Sequence, residues 1–498
     1  MDDQEETTGD DELHKGQALL HQDPPAPAGE EPSTQVSLEI SAFRRVLKTR
    51  GFMALWVAQG ISGIGDWVIV GVLLDTLNRM GNGSTTPLVL MLIARFLPAL
   101  LFGLVAGALV DRLERKTLMI LCDISRACLV IALAFANNLL LICILVFCIE
   151  TFSLLFGPAR DSSIPDLVES DHVMTANSMM STSTYLTMAL GTLIATVILG
   201  FAALIYKFPL ISGLTTQAQF QHTFAFLVDA LTFIASAMLI FTIAFPRRAG
   251  GVSQLSFKQI SADLREGLKF MWTDPLTRTI LGVMIIGLIG GGSLYILGAP
   301  FAQQVLDATG SKFTLILSFL LFGVVAGAAA TPWLNNRLPK EKWFGRAALG
   351  FGIAMFVFAL IDVYVISMVV IFLGGTLLGY LLVSAYTLLH ENLDPAIRGR
   401  VFAAFQTIMR TCLLISMGVF AGVAGLFRMW IRWTPEDPVS KTVNLGVYSK
   451  SFYPAMLALM VGAVVVMVGG AIAIHSFKKV FAQTHPGGVT VEEAEPSS

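Results

Sequence analysis

Gly107-Ala108-Leu109-Val110-Asp111-Arg112-Leu113-Glu114-Arg115-Lys116 closes one long apolar segment and opens the next. Arg112, Arg115 and Lys116 supply the positive charge that membrane chains keep on the cytoplasmic side. Gly103 and Gly107 precede them on the apolar segment, where a missing side chain lets a neighbouring helix approach closely. The stretch reads as a gate hinge between two membrane helices, not as a catalytic loop.

Composition places the chain in a bilayer. Of its 498 residues 55% are hydrophobic and 14% charged, against roughly 45–50% and 25% in soluble chains. The net charge of −2 gives no sign of a nucleic-acid surface, because the ionisable residues gather in the tails and in the gaps between apolar runs. Cys122, Cys128, Cys143, Cys148 and Cys412 all lie inside apolar runs, without metal-ligand spacing, and read as packing residues. No metal or cofactor is expected. Residues 1–45 are acidic and proline-bearing, do not resemble a cleavable signal, and are expected to be a disordered cytoplasmic tail.

Twelve apolar runs are long enough to cross a membrane as helices: 53–78, 87–110, 117–136, 138–158, 176–205, 223–245, 278–303, 312–333, 343–361, 363–389, 402–428 and 452–477. On one side of this weave stand 22 Lys and Arg and on the other seven, which predicts both termini in the cytoplasm of a cell-membrane protein. The longest gap divides six spans from six. The expected units are a six-helix bundle over 46–248, an amphipathic linker over 249–277 lying along the membrane, a second bundle over 278–480 and a cytoplasmic tail over 481–498.

The halves echo one another. Leu101-Phe102-Gly103-Leu104-Val105-Ala106-Gly107-Ala108 returns as Leu321-Phe322-Gly323-Val324-Val325-Ala326-Gly327-Ala328 in the corresponding span. Each copy is followed by a basic turn, with Asp111 in the first and Asn336 in the second. Duplicated helical halves with a site between them are a transporter architecture.

Gly-x-x-x-Asp-Arg-x-x-Arg-Lys between the second and third spans resembles the signature of the major facilitator superfamily, over roughly residues 45–480. The resemblance implies an all-α membrane protein of two pseudo-symmetric six-helix bundles. It also implies that Gly107, Asp111, Arg112, Arg115 and Lys116 help close the cytoplasmic side, Asp111 engaging the other half. Glu114 stands where members often carry Gly. Arg95-Phe96-Leu97-Pro98, Pro158-Ala159-Arg160, Ile164-Pro165-Asp166 and Arg398-Gly399-Arg400-Val401 look like the enterobactin-exporter branch, whose members move siderophores and drugs. A neighbouring group moves lysophospholipids.

Charges inside spanning helices are costly and mark candidate sites. Depth counted along the helices pairs Asp66 with Arg95 in the outer half, and Arg126 with Glu150 nearer the cytoplasm. An acid that periodically loses its cationic partner in a dry surrounding would take up a proton as the halves rock. The alternative for both pairs is static glue between helices. Asp66, flanked by Gly63 and Gly65 with Gln59, Ser62 and Trp67 nearby, is the leading candidate, and its counterpart in the second half is the neutral Ser293. Asp229 and Arg410 are secondary candidates; Asp75 and His222 are expected at the solvated outer surface, and His390 at a helix end. Tyr295, Tyr380 and Tyr386 are possible aromatic walls of a cavity, beside the glycines at 287 and 290–292.

No phosphate-cradling loop, HExxH or nucleophile motif supports an enzyme. The expectation is a proton-coupled efflux antiporter, monomeric in the lipid bilayer, for a small amphipathic substrate. Lysophospholipid flipping is the alternative, and a non-transporting receptor or scaffold is the alternative of another class.

Overall fold

A computed structural model describes residues 43–81, 84–110, 113–213, 215–245, 257–335, 337, 339–432, 441–445 and 448–484. Asp111, Arg112, residues 1–42 and 485–498 of the tails and residues 249–256 of the expected linker lie outside the described residues, and so does Asn336. Among the described residues twelve helices are long and apolar enough to cross a membrane. Six precede the linker: α1 (Arg50–Met80), α2 (Thr86–Val110), α3 (Arg115–Ala134), α4 (Leu139–Leu167), α5 (Val173–Ile205) and α6 (Gln217–Phe241). The linker helix is α7 (Phe257–Thr273). Then come α8 (Pro275–Val305), α9 (Ser311–Asn335), α10 (Lys340–Leu360), α11 (Tyr364–Asn392), α12 (Pro395–Arg432) and α13 (Pro454–Thr484). A hairpin of β1 (Lys441–Leu445) and β2 (Tyr448–Phe452) joins the last two, Lys441 opposite Phe452.

Several helices outrun their apolar runs. Helix α4 continues through Pro158, Arg160 and Asp161 to Leu167. Its polar end is held from α3, where Arg115 Nη1 donates to the carbonyl of Ser162 at 2.5 Å and pairs with Asp166 at 2.9 Å. Lys116 Nζ donates to the carbonyl of Ile243 at 2.8 Å and so ties down the end of α6. Two basic residues of the hinge therefore brace the first half from within.

Even and odd helix ends define two faces: a terminal face, where α1 begins and α13 ends, and a far face opposite. At the far side one apolar cluster draws buried residues from all twelve spanning helices, among them Leu73, Leu92, Phe233, Phe301, Phe358 and Phe420. Towards the terminal face the packing divides. Phe52, Met119, Phe156 and Ile240 belong to one cluster in the first half; Met284, Phe344, Leu389 and Phe405 belong to another in the second. The two halves are thus joined at the far face and separately packed at the terminal face.

The glycine echo is unequal. A methyl group at Gly323 or Gly327 would run into the backbone carbonyls of Phe372 or Thr376 on α11, so these glycines permit backbone contact between α9 and α11. Gly103, expected to do the same for α2, faces open space. The close approach belongs to the second copy, because there α11 returns glycines of its own, Gly375 and Gly379, against Leu320 and Val324. Helix α7 docks on the second half. Gly267 sits against the backbone of Arg400 at the start of α12, Glu266 pairs with Arg400 at 2.8 Å, and Met271 is buried in the second half.

Candidate functional site

Helices α1, α2, α3, α4 and α6 bring six ionisable side chains together at membrane depth. Arg126 on α3 forms an ion pair with Asp123 one turn earlier and a longer one with Asp66 on α1 at 3.7 Å. Its guanidinium lies between two aromatic rings, 4.7 Å from the centre of Phe156 and 4.3 Å from that of Phe233. Such faces attract a desolvated cation. Ser236 on α6 donates to Asp123 Oδ2 at 2.7 Å, and Ser153 on α4 accepts from Arg126 Nη1 at 3.5 Å. Asp123 is fully buried and Arg126 nearly so, whereas the Asp66 side chain keeps 32% of its surface exposed.

Arg95 and Glu150 form the second pair, at 2.8 Å. The expected partners are therefore exchanged: Asp66 meets Arg126, and Arg95 meets Glu150. The cause is the length of α4. Because that helix runs on to Leu167, Glu150 lies nearer its far-face start at Leu139 than its inner end, level with Arg95 on α2. Asp123 escaped the sequence reading altogether. Its signal was present in the spacing, since residues three apart on a helix share a face.

Asp229 on α6 is buried against α1, where a methyl group at Gly65 would overlap its carboxylate and the Thr232 hydroxyl. Thr232 donates to Asp229 Oδ1 at 3.0 Å. Gln59 is buried one turn from Gly63. Arg410 stands exposed on α12, in the other half. Taken together, among the described residues four acids, Asp66, Asp123, Glu150 and Asp229, meet two bases, Arg95 and Arg126, a count that bound protons or a cation would balance.

Beside it, on the second half, lies an apolar cavity of about 200 Å³. Trp67, the residue after Asp66, forms part of its wall from α1, and Tyr295 from α8. The Tyr295 ring meets Phe96, the neighbour of Arg95, edge to face at 6.3 Å. The cavity and the charged cluster thus share a border. Tyr380 is buried elsewhere, its hydroxyl donating to Asn335 at 3.1 Å, and Tyr386 accepts from Gln406 at 2.5 Å. His390 is in the last turn of α11, as expected.

At the far face the halves are latched. Asp75 Oδ1 accepts from the Gly310 backbone N–H of the second half at 3.0 Å, while Oδ2 pairs with Arg79 at 2.9 Å and His222 at 3.3 Å. Asn78 hydrogen-bonds Gln303, and the hydroxyls of Thr196 and Thr314 meet at 2.9 Å. Asp75 and His222, expected in solvent, are only 2% and 8% exposed: Gly310 of the turn before α9 closes on Asp75, and His222 packs against Asp75 and Thr76. Hydrogen bonds to a charged group contribute about 1.5–3 kcal/mol. Asp75→Ala is therefore expected to raise the labelling rate of a cysteine placed at Thr314 by roughly ten- to a hundredfold, with a membrane-impermeant maleimide. Unchanged labelling would show that the latch does not hold the far face shut.

Two six-helix halves, a charged cluster inside one and an apolar cavity against the other define a multi-pass membrane transporter, not an enzyme. Residues 55–415 match the Major Facilitator Superfamily, and the chain belongs to that family. It is 27% identical over 405 residues to the uncharacterized MFS-type transporter YfiS of Bacillus subtilis (strain 168), covering 77% of this chain and 88% of that protein. It is 24% identical over 364 residues to BacE of the same organism, a proposed bacilysin exporter, covering 72% and 85%. Among solved structures, a bacterial homologue of the human lysosomal transporter Spinster, inward-facing and unoccupied, aligns with a TM-score of 0.67 at 14% identity, covering 91% and 98%. The nucleoside transporter NupG aligns at 0.62 and 12% identity, covering 85% and 99%. These structural likenesses carry the fold.

Proposed function

We propose that the protein is a proton-coupled exporter of a small amphipathic compound, working by alternating access as a monomer in the cell membrane. The observation that carries this reading is the excess of four acids over two bases bordering an apolar cavity. Protons would meet the excess charge in one part of the cycle and be released in another, with Asp66 as the exchanging group because it is the most exposed member and holds Arg126 least tightly. Asp123 would keep Arg126 in place when Asp66 lets go. Gln59 and Asp229 would shape the surroundings of Asp66, and Arg95 with Glu150 the border of the substrate site. Arg410 would face the entry on the second half.

In this reading the terminal face is cytoplasmic, as the excess of Lys and Arg there supports. Residues 46–248 and 278–480 would rock about the far-face cluster, and Gly107, Asp111, Arg112, Arg115 and Lys116 would close the cytoplasmic side. Export is favoured by the resemblance to the enterobactin-exporter branch and by the similarity to BacE. The test is uptake into inside-out vesicles with an imposed proton gradient, screened over siderophores, dipeptides and lipophilic drugs. Accumulation that collapses with the gradient is expected. Accumulation indifferent to the gradient would overturn the coupling, and transfer of a fluorescent lysolipid that no drug competes with would favour lipid flipping.

A further inference from the structure

We propose that His222 is a proton-binding site of the far face, separate from the acid cluster, and that the proton it holds tightens the latch between the halves. The imidazole is nine-tenths buried, and each of its nitrogens meets an oxygen. Nδ1 lies 2.9 Å from the Thr76 hydroxyl, and Nε2 lies 3.3 Å from Asp75 Oδ2.

Neither oxygen has a proton to offer. Thr76 donates its hydroxyl proton to the carbonyl of Val72 at 2.7 Å, so towards His222 it presents a lone pair. Asp75 receives Arg79 Nε on Oδ2 and the Gly310 N–H on Oδ1, the pattern of an ionised carboxylate, which only accepts. A neutral imidazole carries one N–H and can serve one of these oxygens, leaving the other against a ring lone pair. Imidazolium carries two and serves both. The closed arrangement therefore matches the charged ring.

His222 and Asp75 both belong to the first half, and the bond that crosses to the second runs from Gly310 to Asp75. With Arg79 and the imidazolium both on Oδ2, Oδ1 is left facing the turn before α9. His222 is thus a positioning residue for the latch. The charged groups around it are Asp75 and Arg79 on α1, and across the gap Asp307 and Lys312, exposed at the ends of the turn, on the rim that Arg79 shares. Helices α3 and α5 meet this end of α6 through carbonyls, Ala134 accepting from Thr223 and Leu199 from Gln221. Asp75 is therefore the group that feels the charge of the ring most directly. Histidine is the side chain whose charge ordinarily changes between pH 5 and 8. Acid on the far side then holds that face shut, and loss of the proton removes one hydrogen bond from the network.

The test reads the far-face gap of the full chain in nanodiscs at pH 5 and pH 8, without substrate or gradient. Spin labels carried on noncanonical amino acids replace Phe208 and Val363, exposed far-face residues of the two halves, and pulsed dipolar spectroscopy gives the ratio of short to long distances. The loss of one hydrogen bond predicts a ratio about fivefold higher at pH 5. His222→Gln, which can donate to Asp75 but cannot take up a proton, should bring the two ratios within twofold of each other. Asp75→Asn should do the same and probes the contact from its other side, where the first variant folds poorly. Asp66→Asn should keep the fivefold response, because the acid cluster is a different site. No response in the unaltered protein, a response that survives in His222→Gln, or one that disappears in Asp66→Asn would overturn the assignment. With no gradient applied, the outcome is independent of proton-driven transport.

Discussion

Arg126→Met is expected to lower stability by about 3–5 kcal/mol, the range for stripping one partner from a buried ion pair. Asp123 has no solvent to fall back on, being fully buried, and the Ser236 hydroxyl alone does not compensate its charge. The two rings that flank the guanidinium would be left against a thioether, which packs well, so the loss is one of charge and not of shape. The double change Asp123→Asn with Arg126→Met should therefore recover most of the deficit. Thermal unfolding in detergent checks this directly. A double variant as weak as the single one would mean that Arg126 holds the helices by its contacts with Phe156 and Phe233 instead.

Asp66→Asn is expected to behave in the opposite manner. Its side chain is a third exposed and reaches Arg126 only at 3.7 Å, while Asp123 keeps the closer pairing. A partly exposed pair of this kind contributes up to about 1 kcal/mol, so the melting curve should hardly move. Gradient-driven transport in inside-out vesicles, however, should fall to background, because an amide neither binds nor releases a proton in the working range. Binding of substrate without a gradient should survive. If the melting temperature fell as far as it does for Arg126→Met, Asp66 would have to be counted among the structural pairs.

The contrast between these residues was only half legible in the sequence. Spanning helices announce themselves because hydropathy is a property of each segment alone, and all twelve appear where the apolar runs lie. Partners across helices are another matter. Depth along one helix is readable to within a turn or two, but the pairing of Arg95 with Glu150 depends on how far α4 extends beyond Pro158, and that depends on Arg115 anchoring Ser162 and Asp166 from a different helix. Asp123 was hidden by its position in the terminal-face half of α3, among Thr117, Cys122 and Ser125, although its distance from Arg126 along the helix was a local clue. Asp75 shows the same limit at the surface. Its neighbours on α1 do not reveal that a turn from the other half of the chain will cover it. The glycine echo was read correctly as a duplication, yet only one copy makes the close contact, since that requires glycines on the facing helix as well.

The docking of α7 has a practical side. With Gly267 seated on the backbone of Arg400 and Glu266 paired to its guanidinium, the linker helix is mechanically part of α12. A fluorophore at the exposed Arg265 would then travel with the second half and report its swing against a reference dye on the first. The protein carries its own lever arm for watching the cycle one molecule at a time.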